Sequence, residues 1–353
     1  MLIVWLAIAV AVLKSASVNL PARNCHLDIM LQLEVCDLNL PKRGIRTEFF
    51  CQADTICSEA NSIMRALLFL GLALLLSGAD LPQRIEVHGH RGARALRPEN
   101  TIPAFEYAIA AGVDALELDM AVTQDNVLVI SHDPYLEPPV CTGPEPRAAI
   151  YQLTLKQVKE WDCGAVRNPK FPKQRPVPGT RMPTLDEVFD LASQGNFLFN
   201  IETKSFPNHP ELTPPPEEFA KLVLATIRKH HLESRVVLQS FDFRTLRAMK
   251  RLAPGIKLSA LDARPARSFV EIAKEAGADI VSPEFHLVTF QRVQAAHRAG
   301  LQVLPWTPDT PAEWNRLIAD GVDGIITDDP AALIAFLKRK YLSSGESSGT
   351  RAH

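Results

Sequence analysis

From Arg84 to about Lys338 the chain alternates short apolar runs with longer stretches whose apolar residues recur at helical spacing. The runs that read as strands are 85–87, 115–120, 127–131, 197–202, 236–240, 256–260, 279–282, 302–306 and 324–327. Helical patterns fill most of the gaps, over 101–111, 184–194, 217–231, 243–252, 265–276, 287–299 and 311–320. Strand-helix alternation over such a length predicts a parallel sheet, and an eight-stranded (β/α)8 TIM barrel leads a doubly wound sheet. No G-x-G-x-x-G follows a strand to favour the dinucleotide-binding alternative.

Nine strands are one too many for eight staves. Between 115–120 and 127–131 lies no helix, so the two are expected to form a hairpin rather than parallel neighbours. A turn centred near Asp125 would set residue 132 opposite residue 118. Residues 133–183, rich in proline and with one clear helix at 154–161, read as an insertion at the barrel mouth. A proline-rich loop (206–218) follows another strand end, and the polar stretch 341–353 reads as a disordered tail.

Residues 64–79 (MRALLFLGLALLLSGA) combine a basic start, an apolar run and small residues, the pattern of a secretory signal peptide. Translation is therefore expected to begin at Met64, with 1–63 a doubtful N-terminal extension and 80–340 the barrel; an uncleaved anchor and a real N-terminal extension are the other readings. The protein is thus expected in the periplasm or outside the cell. Cys25, Cys36, Cys51 and Cys57 lie in the doubtful extension at no zinc-site spacing. Cys141 and Cys163 remain, either a disulfide closing a loop in an oxidising compartment or two unpaired buried thiols. A net charge of -2 with mixed signs argues against nucleic acid as a partner.

The polar residues at strand ends carry the chemistry. His88/His90, Glu117/Asp119 and Glu202/Lys204 are i, i+2 pairs, so each pair shares a face at the C-terminal end of an apolar strand, where barrel active sites are built. The hairpin brings His132 alongside Glu117 and Asp119. Three carboxylates meeting at one point repel, and an all-oxygen set of Glu117, Asp119 and Glu202 suits a hard ion, Ca²⁺ or Mg²⁺. The alternative is a carboxylate web neutralised by Arg91 and Lys204, which also suit a phosphate. His90 and His132 can trade protons near neutral pH. Together these groups read as a site for splitting a phosphate ester.

The motifs resemble those of the glycerophosphodiester phosphodiesterases, of the bacterial periplasmic type within the phosphatidylinositol-phospholipase-C-like barrels. They are His90-Arg91-Gly92, Pro98-Glu99-Asn100-Thr101, Ala104-Phe105, Gly112, Glu117-Leu118-Asp119, Thr123, Asp125, His132-Asp133, Pro183-Thr184-Leu185, Glu202-Thr203-Lys204, Ser240-Phe241, Trp306-Thr307 and the run from Gly321 to Asp328. The resemblance implies metal ligation by Glu117, Asp119 and Glu202, and His90 and His132 as general base and acid. It implies phosphate contacts from Arg91 and Lys204, and an insertion after the hairpin. The implied reaction converts glycerophosphodiesters to sn-glycerol 3-phosphate and an alcohol through a cyclic phosphate. The sequence departs from the family at Trp306-Thr307-Pro308-Asp309, where Asn is usual in place of Asp309, a change expected to touch the substrate rim.

Other residues have plainer readings beside the functional ones. His88 is expected to support its neighbours rather than catalyse. Glu99 is expected to orient site groups and Asn100 to tie down its loop, though Asn100 or Thr101 could simply cap a helix. Trp306, Phe241 and Phe285 are candidates for lining the substrate pocket or for packing alone. His230, His231, His286 and His297 read as surface residues, and Asp328 and Asp329 as caps of the last helix. Two other functions remain open: a lysophospholipase D-type phosphodiesterase, and a non-catalytic barrel that binds phosphorylated ligands.

Overall fold

Why the polar residues meet follows from how the strands are ordered. The computed structural model describes residues 84–346; residues 1–83, including the expected extension and signal peptide, and the end of the tail from 347 lie outside them. The barrel strands are β1 (Glu86–Gly89), β2 (Ala115–Val122), β6 (Leu198–Thr203), β7 (Val236–Ser240), β8 (Lys257–Asp262), β9 (Ile280–Pro283), β10 (Gln302–Val303) and β11 (Gly324–Thr327). All pair in parallel, in the order β10-β9-β8-β7-β6-β2-β1-β11. The last seam is narrow: β10 is short, and the Trp306 backbone bridges Glu284 on one side and Ile326 on the other. The eight-stranded parallel barrel is therefore the fold.

Helices α1 (Ile102–Ala111), α3 (Leu185–Phe189), α4 (Pro216–Lys229), α5 (Phe243–Leu252), α6 (Phe269–Ala276), α7 (Phe290–Arg298), α8 (Pro311–Asp320) and α9 (Pro330–Glu346) follow the strands. Alternation along β2 shows the layering. Leu116, Leu118 and Met120 join Phe105, Phe199 and Leu238 in the core between sheet and helices, while Glu117 and Asp119 point the other way. Inside the barrel, Val237, Ile280 and Leu304 form a separate small apolar cluster.

Two helices start later than their periodicity suggests because a cap sets the boundary. Ser268 and Glu271 form a capping box ahead of α6, and the Thr289 side chain accepts from the Arg292 N–H ahead of α7. Over 184–194 the α-helix stops at Phe189 and continues as a 3-10 turn. Helix α9 runs to Glu346, six residues into the stretch expected as tail.

The extra strand, β3 (Leu128–Ile130), is antiparallel to β2 and pairs Met120 with Ile130, the register that carries residue 132 back to the level of residue 118. The insertion that follows holds a two-stranded ribbon, β4 (Tyr135–Leu136) with β5 (Ala148–Ala149), and the single-turn helix α2 (Leu155–Val158). Its own core gathers Leu136, Ile150, Val158, Trp161 and Met182 against Val129 of β3. Cys141 and Cys163 are joined there as a disulfide across a separation of 22 residues.

Candidate active site

The site is assembled by neighbouring strand ends. In the β2–β6 register Asp119 lies beside Glu202, and in the β6–β7 register Glu202 lies beside Gln239. Between β1 and β2 the register pairs Gly89 with Leu116, which brings His90 level with Glu117. After His90 the backbone turns through positive φ at Arg91 (49°) and Gly92 (84°). A Cβ on Gly92 would sit 2.7 Å from the Ala104 carbonyl carbon, so only glycine fits. That turn aims the Arg91 N–H at Glu117 Oε2, 2.8 Å away.

Glu117, Asp119 and Glu202 are almost wholly buried, and one oxygen of each lies within 4.8 Å of the others. Burial, then the charge of Asp119, pushes the Glu117 carboxyl well above its ordinary range. Burial and Asp119 likewise raise Glu202 against the opposing pull of Lys204. Asp119 is the exception: burial disfavours its charge, but His132, Arg91, Lys204 and the Asn100 amide outweigh it and hold the carboxyl far below the usual value.

The fixed cations only partly compensate. Lys204 Nζ lies 2.9 Å from Glu202 Oε1 and 3.8 Å from Asp119 Oδ1. Arg91 Nε lies 3.3 Å from Asp119 Oδ2, but its Nη1 is engaged by Glu99 Oε1 at 2.6 Å. Four carboxylates thus face two cations, which is short of neutralisation by a divalent charge. Asp119 Oδ1 is buried without a hydrogen-bond partner among the described residues, as is Arg91 Nε. An unpartnered buried carboxylate oxygen facing two raised carboxyls is what an absent hard cation would leave, so the donor set fits a metal better than a self-neutralised web.

Both histidines reach this place. His90, His132, Arg91, Glu117, Glu202, Gln239, Phe241 and Trp306 line one cavity of about 120 Å³. His90 Nε2 lies 3.9 Å from Glu117 Oε2, and its Nδ1 is 2.6 Å from Asp328 Oδ1. Burial, with Arg94 nearby, lowers the His90 pKa to about 4 in spite of Asp328, so the ring is neutral at pH 7. Burial opposes the charge of Asp328, but His90 and Arg94 prevail and bring it to about 2. His132 is more open, with 35% of its side chain exposed, and its Nδ1 pairs with Asp133 Oδ1 at 2.7 Å.

Glu99 holds Arg91, and Asn100, itself at φ 57°, donates from Nδ2 to Asp119 Oδ2 at 2.9 Å. Neither Asn100 nor Thr101 caps α1 through its side chain. Phe241 stands at the rim, 47% exposed, edge-on to Trp306 with ring centroids 5.6 Å apart.

One open reading is resolved and two expectations are corrected. Phe285 does not line the cavity: it packs against the outer core and stacks on His286. Asp328 is no helix cap; Asp329 alone accepts from α9, through Ala332 N–H, while Asp328 turns inward to His90 and Arg94. Asp309 does not form the rim, because its Oδ1 accepts from the Thr327 hydroxyl and the Asp328 N–H, both at 2.8 Å, behind His90.

Sequence reasoning also passed over Gln239. Its Nε2 donates to Glu117 Oε1 at 2.7 Å, and its Oε1 accepts from Asn200 Nδ2 at 3.1 Å. Asn200 Nδ2 also meets His88 Nδ1 at 3.3 Å, and His88 Nε2 reaches Glu86 Oε2 at 3.3 Å. His88 is thus the base of an amide relay that ends on Glu117. Its signal in the sequence was a polar residue at an inward position two before Phe241, visible only once the strand's inner face is known.

Comparison with known proteins agrees with this geometry. Residues 90–332 match the model of the glycerophosphoryl diester phosphodiesterase family. A glycerophosphodiester phosphodiesterase of Caldanaerobacter subterraneus subsp. tengcongensis is 36% identical over 253 residues, 72% of this chain and 98% of that protein. One from Bacillus subtilis (strain 168) is 31% identical over 262 residues, 70% of this chain and 85% of the relative. A solved structure from Silicibacter pomeroyi DSS-3 that carries the same family name superposes with a TM-score of 0.68 at 32% identity, covering 73% of this chain and 95% of its own.

Proposed function

The chain belongs to the glycerophosphoryl diester phosphodiesterase family and hydrolyses glycerophosphodiesters, and we propose that it does so with one divalent ion, Ca²⁺ or Mg²⁺, and two proton-transferring histidines. The observation that carries this reading is the buried Glu117, Asp119, Glu202 cluster at the wall of a cavity that both His90 and His132 line. Glu117, Asp119 and Glu202 would hold the ion, which when bound supplies positive charge to the phosphoryl oxygens.

The protein's own groups do the rest. The Arg91 guanidinium and the Lys204 ammonium hold the phosphate, and Trp306 and Phe241 flank the substrate's carbon skeleton. Neutral His90 Nε2 takes the proton of the glycerol 2-hydroxyl as that oxygen attacks phosphorus. Asp328 on Nδ1 stabilises the imidazolium that forms. His132, held through Nδ1 by Asp133, gives a proton to the departing alkoxide. Water then opens the cyclic phosphate: His132 takes the water's proton, and His90 returns its own to the 2-oxygen. The products are sn-glycerol 3-phosphate and the alcohol.

We place the protein in an oxidising compartment, periplasmic or extracellular. The disulfide Cys141–Cys163 supports that placement. No helix among the described residues is long and apolar enough to cross a membrane.

The test is turnover of a panel of glycerophosphodiesters and lysophospholipids before and after chelation, with Ca²⁺ or Mg²⁺ restored. Glycerophosphodiester turnover is expected to vanish with chelator and return with metal. His90→Ala and His132→Ala are expected to bind the ion, by calorimetry, without turning over. Full activity in excess chelator refutes the metal; either histidine variant working at the parent rate removes that residue from the mechanism.

A further inference from the structure

The chain of hydrogen bonds through His88, Asn200 and Gln239 begins at the opposite end of the barrel from the site. Glu86 opens β1, about 13 Å before His90 along an extended strand. Its side chain is partly exposed. The hydrogen bond from His88 holds its carboxyl below the ordinary range against the cost of burial, with Lys257 and Arg84 adding to the effect. An ionised carboxylate can only accept. The 3.3 Å contact of Glu86 Oε2 with His88 Nε2 therefore places the ring proton on Nε2. His88 Nδ1 faces an amide nitrogen, a donor, and so carries no proton.

Each later link is fixed in turn. Asn200 Nδ2 lies 3.3 Å from His88 Nδ1 and 3.1 Å from Gln239 Oε1, so both of its hydrogens meet acceptors. Gln239, its oxygen committed to Asn200, has only its amide nitrogen left for Glu117 Oε1, 2.7 Å away. One sacrifice marks this direction: Asn200 Oδ1 is buried with no hydrogen-bond partner among the described residues. The other His88 tautomer would satisfy that oxygen from Nδ1–H. It would also turn both amides over and set Gln239 Oε1 against Glu117 Oε1, acceptor against acceptor. His88, Asn200 and Gln239 are at most 1% exposed, so bulk water cannot repair a reversed link.

We propose that Glu86 and His88 are positioning residues: the carboxylate at the barrel floor fixes the His88 tautomer, and that tautomer fixes the amide donor on Glu117 and with it the ion affinity of the site. The inference rests on the reading above in which Glu117 is an ion ligand. A donor on the second oxygen of a ligating carboxylate holds it ionised and oriented.

The experiment reads the tautomer and the affinity separately, on the full chain. In ¹⁵N spectra, with His88 assigned from its loss in His88→Gln, the parent is expected to show a protonated Nε2 and an unprotonated Nδ1. Glu86→Lys, which offers Nε2 only donors, is expected to abolish that pattern and to weaken Ca²⁺ or Mg²⁺ binding about tenfold by calorimetry. Should the lysine variant not fold, Glu86→Met, which offers no acceptor, is expected to lose the fixed tautomer and about threefold in affinity. In a Gln239→Leu background, which lacks the last link, Glu86→Lys is expected to change affinity less than about twofold. A protonated Nδ1 in the parent overturns the proposal, as does a changed tautomer with unchanged affinity. An equal loss with and without Gln239 also overturns it, because the effect would then travel through the field of the new charge. A parent that binds neither ion would instead bring down the metal reading, and this coupling with it.

Discussion

Replacing Asp328 by alanine isolates what the carboxylate behind His90 contributes. Asp328 Oδ1 lies 2.6 Å from both His90 Nδ1 and Arg94 Nε, and the His90 side is almost fully buried. With its pKa near 2 it is ionised throughout the working range. In the proposed mechanism His90, with a pKa near 4, enters the reaction neutral and becomes charged as it takes the proton. The charge on Asp328 therefore matters more in the transition state than in the ground state. A buried charge-assisted hydrogen bond contributes about 1.5–3 kcal/mol, so Asp328→Ala should lower kcat roughly 10- to 150-fold.

Asp328→Asn keeps an acceptor for Nδ1–H and loses only the charge, so its loss should be the smaller of the two. KM and ion affinity, which the proposed mechanism assigns to Arg91, Lys204 and the carboxylate cluster, should move less than about threefold. Initial rates at saturating metal, with a calorimetric metal titration of each variant, measure all three quantities. The reasoning is refuted if the alanine variant keeps kcat within about threefold of the parent. It is also refuted if ion affinity falls in step with kcat, because Asp328 would then act on the metal cluster rather than through the imidazole.

Three further outcomes are expected. Gln239→Leu removes the donor on Glu117 Oε1 and should weaken ion binding about 10- to 100-fold by calorimetry; unchanged affinity would deny the relay any role. The unfolded chain protonates His90 near pH 6.5 and the folded one only near 4, so the stability gained by keeping the ring neutral is complete above pH 6.5 and is lost as pH falls towards 4. That amounts to about 3 kcal/mol, and urea midpoints of His90→Gln should fall less steeply over this window than the parent's. The double variant Cys141→Ala, Cys163→Ala should lose about 3 kcal/mol in the insertion, seen as earlier local melting or proteolysis; resistance equal to the parent's would make the disulfide energetically idle.

The sequence was most readable where structure is local. The four residues from Thr123 to Asn126 leave room only for a tight turn, so the hairpin register and the approach of residue 132 follow from spacing alone. Period-2 alternation along β2 and β6 placed Glu117, Asp119 and Glu202 on inner faces for the same reason. Helix starts shifted where a capping side chain overrode apolar periodicity, as Ser268 does for α6. Phe285 stayed open because a strand-end aromatic can turn either way, and here the 3-10 turn after Glu284 carries it outward.

Asp328 and Gln239 were hidden for a different reason: each meets its partner across the barrel's long-range order, 238 and 122 residues apart in sequence. Asp328 even sits beside a true cap, Asp329, so its local context argues for the wrong role. Only closure of the β11–β1 seam shows that it faces His90. The same closure explains why the site can exist at all. The Val237, Ile280, Leu304 cluster fills one part of the interior, and the His88–Asn200–Gln239 relay occupies another, its Gln239 amide donating to Glu117. Such donors favour the ionised carboxylate that burial resists. The Gln239 amide thus offsets only part of the burial that raises the Glu117 carboxyl, and a bound cation would offset more of it.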